Sequence, residues 1–180
     1  MTAPIELLPL RCIRCSTPVP AEMDEVAWVC GQCGQGLLLD EAQGLAPVEI
    51  HFTSGIATGA KGRPFWTADG QVDLHREAYG TFGKKTGEAE RFWEKGRRFF
   101  IPAFNCPLDT LIDLGAEFLN RPPALQPGPA VPFEPVVLGQ EDLPALAEFI
   151  VMGIEAARKD QIKSLGLNVH LANPDLWILP

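Results

Sequence analysis

Four cysteines fall in two Cys-x-x-Cys pairs, Cys12-Ile13-Arg14-Cys15 and Cys30-Gly31-Gln32-Cys33, with fourteen residues between them. Two thiolates at that spacing can face one point from a single tight knuckle. Two knuckles then supply four sulfurs, the tetrahedral set of a closed structural zinc site. The second pair is followed at once by Gly34, which tolerates the positive φ that turns the backbone over the sulfurs. Four protein ligands leave no open position for a substrate, so the metal's role is structural. The same ligand set admits iron for electron transfer, but the chain has no flavin or haem signature that would make it a redox partner.

The flanking pattern organises these knuckles. Ser16 to Asp24 is polar, contains Pro18 and Pro20, and reads as a loop. Val26 to Cys30 is a β-prone run carrying Trp28 into the second knuckle, and Gly36 to Leu39 is a second run leading away. Knuckle, strand, knuckle, strand resembles the zinc ribbon of the type found in transcription factor TFIIB and in many bacterial proteins. The resemblance covers about the first forty-five residues. It implies zinc held by Cys12, Cys15, Cys30 and Cys33, and implies no catalytic residue. Ser16 stands where such ribbons usually have glycine after the first pair.

Other candidate chemistry is sparser. Cys106 precedes a helix, whose N-terminus can lower a thiol's pKa and make a nucleophile. No base-bearing signature surrounds it, so a small buried structural residue is the preferred reading. His51, His75 and His170 fall on the polar phase of their strands, which faces solvent. Arg97-Arg98-Phe99-Phe100 joins cations to aromatics, as single-strand binding platforms do. The aromatics are contiguous and run to Pro102, which fits a core strand at an edge or bulge. The glycine-rich stretch Ser54 to Arg63 has neither the P-loop nor the dinucleotide spacing and reads as a plain loop.

Composition narrows the classes. The 180 residues carry a net charge of −8. Residues 1–45 are net −4, residues 46–105 net +2 and residues 106–180 net −6. Phosphate neutralisation supplies most non-specific nucleic-acid affinity, and the basic stretch Lys84 to Arg98 is interrupted by Glu88, Glu90 and Glu94. Duplex DNA is therefore an unlikely partner. Met1 to Leu10 has no basic n-region or long apolar stretch, and no transmembrane segment is present. Cysteines in metal spacing suit a reducing compartment, so the expected location is cytoplasmic.

The elements that follow the ribbon form a second unit. Val48 to Thr53 alternates as a half-buried strand. From Phe65 to Arg76 the apolar residues keep one even phase through Asp69-Gly70, predicting one long strand with a bulge or bend. A short helix over Glu88 to Lys95 and a strand over Arg97 to Phe104 follow. Cys106-Pro107 opens a helix that ends at Asn120. Residues 120–135 hold six prolines and read as an extended segment lying across the domain or to a partner. Gln140 to Leu165 has helical periodicity with Gly166 as its C-terminal cap. Leu167 to Leu171 and Leu176 to Leu179 read as strands around a turn at 172–175.

The predicted fold class is α+β: a ribbon over 1–44, then an antiparallel β-sheet domain over 45–180 with two packed helices. The long helix shows apolar residues on more than one side, at Phe149, Val151 and Met152. One sheet face covers one side of a helix, so these three are expected at an interface with a protein partner or a second copy. The function expected is a non-enzymatic protein-binding or assembly module, an accessory subunit. The alternatives are a nucleic-acid- or transcription-associated factor, by resemblance to the ribbon, and an enzyme using Cys106.

Overall fold

A computed structural model describes residues 10–40, 44–79, 83–158 and 162–180, with the side chains of 78 and 83–86 excepted. The expectation for Met1 to Leu10 therefore lies, but for Leu10, outside the described residues. The class is α+β. A three-stranded antiparallel sheet of β1 (Ala27–Val29), β2 (Gly36–Asp40) and β3 (Gly44–Pro47) accompanies the cysteines. A four-stranded sheet has the order β4 (Ile50–Phe52), β7 (Ile162–Leu179), β5 (Arg63–Ala78) and β6 (Arg97–Pro102). Three helices complete the fold: α1 (Gly83–Trp93), α2 (Leu108–Asn120) and α3 (Leu143–Ala156).

The larger sheet is mixed, not purely antiparallel, because β4 pairs with β7 in parallel. β4 enters the sheet long before its partner is made, and a parallel pair needs only that a long crossover intervene. β3 was not foreseen; it begins at Gly44, whose φ is 79°, and straddles the boundary expected at residue 44.

β5 is the single long strand expected. Gly70 lies within it because a Cβ there would sit 2.4 Å from the Phe99 ring. One of two register shifts against β7 falls just before it, between Thr67 and Asp69. There the single residue Ala68 faces two on β7, Asn173 and Pro174, and Asn173 has φ 52°. Residues 172–175 are thus a bulge inside one strand, where the sequence suggested a turn between two.

The long helix is shorter than its periodicity suggested. α3 stops at Ala156, and from Ile162 the chain pairs with β5 at Ala78. Ile162 and Leu165 continue the helical spacing, but Leu165 also opens the two-residue alternation of Leu167, Val169 and Leu171, and the ladder partner decides. Gly166 consequently pairs with His75 and caps no helix.

α3 buries Leu143, Ala147, Ile150 and Val151 against Trp66, Phe99, Ile101, Val169 and Leu176 of the sheet. α2 lies along β6 and serves both faces. Leu111 and Leu119 enter this cluster, while Leu114 and Phe118 join a second one around Phe65, Phe100 and Leu179. α2 and α3 approach closely at Gly115 and Gly153, where a Cβ would meet Ile150 and Ile112.

The proline-rich segment is a strap stitched to the domain by backbone hydrogen bonds. The Ser54 N–H donates to the Gln126 carbonyl at 2.8 Å and the Gly62 N–H to Pro132 at 2.9 Å. The Val26 N–H of the cysteine module donates to Val136 at 2.8 Å, and Val137 donates to Ala103 at 2.7 Å. Prolines lack donors, so non-proline residues of the strap and their partners supply them. The strap thereby fastens the small sheet to the large one, and Ala27 of β1 is buried in the main core.

Candidate metal centre

Each knuckle is built the same way. The Ser16 N–H donates to the Cys12 carbonyl and the Gly34 N–H to the Cys30 carbonyl, both at 2.8 Å. The Cys12 N–H then donates to Thr17 at 2.9 Å, and the Cys30 N–H to Gln35 at 2.8 Å. The turn needs a left-handed residue after the second cysteine. Gly34 has φ 73° and Ser16 has φ 61°. The first knuckle therefore adopts the glycine conformation with a serine.

Together the knuckles place Cys12, Cys15, Cys30 and Cys33 so that all four Sγ atoms lie within 4.8 Å of one another. Cys12 and Cys33 sulfurs are 3.6 Å apart, and Cys15 and Cys30 sulfurs 3.5 Å. Four thiolates bound at about 2.3 Å around one tetrahedral cation stand roughly 3.8 Å apart, so the cluster fits such an ion with little adjustment. The group could hold a metal ion. No other His, Cys, Asp or Glu residues converge in this way among the described residues.

Electrostatics point the same way. The Thr17 hydroxyl, 3.2 Å from the Cys15 sulfur, holds that thiol down to about 6. Burial opposes ionisation of Cys12, but the N–H groups of Arg14 and Cys15 outweigh it and its pKa lies below the ordinary value. The Gln35 N–H favours the Cys33 thiolate, yet burial and the neighbouring sulfurs push it up to about 12. Four negative sulfurs cannot share this volume without a cation. The module's own core backs the site: Trp28 and Leu37 are buried with Cys12 and Cys30, and the Trp28 Nε1–H donates to Glu25 at 2.8 Å.

The remaining candidates stay apart. Cys106 is half-buried, and burial together with the Glu134 carboxylate pushes its thiol up, away from a nucleophile. His51 stacks on Trp177 at 4.7 Å, and His170 faces Asp73 at 3.4 Å. Phe99, Phe100 and Ile101 are buried, so the aromatics after Arg98 are core. Of the three residues expected at an interface, Phe149 and Met152 are 40% and 37% exposed. Val151 is not available, because helical spacing aligns it with Ala147, Ile150 and Glu155 on the buried side.

Glu155 escaped the sequence reading. It is fully buried at the end of α3, where its carboxylate accepts from Arg158 Nε and Trp93 Nε1, each at 2.8 Å. Arg76 of β5, also buried, lies 3.1 Å from its other oxygen. The signal was a charge on the apolar stripe of α3, four residues after Val151. No protein-family model, curated protein or solved structure matches the chain.

Proposed function

We propose that this protein is a non-enzymatic binding or assembly module, an accessory subunit, whose N-terminal unit is a TFIIB-like zinc ribbon. The observation that carries this reading is the closed four-sulfur cluster. Zinc bound by Cys12, Cys15, Cys30 and Cys33 would have no open coordination position, so its contribution is folding energy. That energy fixes a small sheet which the strap joins to the larger domain. The raised thiol of Cys106 weighs against its use as a nucleophile. The free thiols of the cluster suit a reducing compartment, the cytoplasm in this reading. The acidic balance argues against the nucleic-acid alternative.

In this reading Phe149 and Met152 contribute to a protein interface, with a partner protein or a second copy. The test compares the intact chain with a Phe149→Asp, Met152→Asp variant by light scattering and native affinity capture. The wild type is expected to self-associate or retain a stoichiometric partner, and the variant to lose it. A wild-type chain that is monomeric and retains no stoichiometric partner would contradict the proposal.

A further inference from the structure

β6 pairs with β5 only from Phe65 to Gly70, whereas β7 accompanies β5 as far as Ala78. From Gln71 to Glu77, β5 therefore has β7 on one side and no strand on the other, among the described residues. α1 runs beside this open edge, and a cleft of about 280 Å³ lies between them. Val72, Leu74 and Trp93 give it apolar lining, and Val72 and Trp93 are buried. Asp73, His75, Glu90 and Glu94 give it polar, exposed lining.

We infer that this edge is a docking site for an extended, basic segment of a partner protein, added to the sheet as a strand beside β5. Strand addition takes its affinity from main-chain hydrogen bonds and its selectivity from the pockets that alternate side chains enter. The cleft falls just below the roughly 300–1,000 Å³ of small-molecule sites. A backbone laid along the edge, with one or two side chains in the cleft, fits it better than a compact ligand.

The charge selects the partner. Glu90 lies in the last turn of α1 and Glu94 just past its end, where the Glu94 N–H donates to the Glu90 carbonyl at 2.8 Å. Neither carboxylate has an ion-pair partner among the described residues. The carbonyl end of α1 adds negative potential beside them. A second copy offering the same edge would bring its own Asp73, Glu90 and Glu94 against these, and like charges across a strand pair repel. Lysines or arginines at alternate positions of an incoming strand meet them favourably. The site is separate from the Phe149 and Met152 surface, so its failure and the failure of the assembly reading are distinguishable.

The test is fluorescence anisotropy with the full chain and a labelled ten-residue peptide of alternating lysine and valine. Its glutamate–valine counterpart and two versions N-methylated at every lysine or every valine complete the set. The lysine peptide is expected to bind saturably, and the glutamate peptide not at all. One N-methylated phase should lose binding while the other keeps it, because alternate residues face the edge. Glu90→Lys with Glu94→Lys, both exposed and so compatible with folding, should weaken binding at least about tenfold. The inference is overturned if the lysine peptide does not saturate, if both N-methylated phases bind like the parent, or if the double variant binds unchanged.

Discussion

Ser16 and Gly34 hold the same place in two knuckles, and only one of them is the residue that place favours. A left-handed conformation costs a side-chain-bearing residue about 1–2 kcal/mol. Glycine gives back about 0.4–1 kcal/mol through unfolded-chain entropy. Ser16→Gly should therefore stabilise the metal-loaded protein by about 0.5–1 kcal/mol, read from thermal or denaturant unfolding. An unchanged or lowered stability would show that the serine side chain has a role of its own. Cys106→Ala should leave any binding activity intact and change stability by no more than about 1–2 kcal/mol. Rapid alkylation of Cys106 in the folded chain at neutral pH would contradict the structural role. At this scale the sequence was legible where spacing alone dictates chemistry: the four cysteines needed no tertiary information. Glu155 was not legible, since nothing local says that Arg76, seventy-nine residues earlier, will face it.

The elements differ in how far local pattern could specify them. β5 announced itself because its alternation is unbroken from Trp66 to Leu74. The end of α3 did not, because Ile162 and Leu165 continue its helical spacing and only pairing with β5 puts them in the strand. The parallel pairing of β4 with β7 likewise depends on residues over a hundred positions apart. Glu155 is where three elements meet, joining α3 to β5 through Arg76 and to α1 through Trp93. Breaking a buried ion pair from one side leaves the other charge uncompensated and costs about 3–5 kcal/mol. Glu155→Gln should destabilise the fold by that amount, whereas Trp93→Phe, which deletes one donor, should cost about 1–3 kcal/mol. Equal effects from the two, measured by denaturant unfolding, would show that the ion pair is not what locks these elements.

At the scale of the whole molecule, a proline-rich strap fastens the small cysteine-bearing sheet to an acidic α+β domain. Its net charge of −8 weighs against a phosphate-bearing partner. Titration into labelled duplex DNA at physiological salt should show no saturable binding below tens of micromolar, the middle of the ordinary non-specific range of about 10⁻⁴–10⁻⁶ M. Salt-sensitive binding abolished by changes at Arg97 and Arg98 would favour the nucleic-acid reading. The strap's hydrogen bonds reach the cysteine module at Val26, so metal loss should loosen that contact while the larger core, built without sulfur ligands, persists.

Elemental analysis of the chain purified without added metal tests whether the four cysteines hold one structural zinc. One zinc per chain is expected, lost when Cys12, Cys15, Cys30 and Cys33 are changed together to serine. Iron in place of zinc, no stoichiometric metal, or metal retained by the four-serine variant would contradict it.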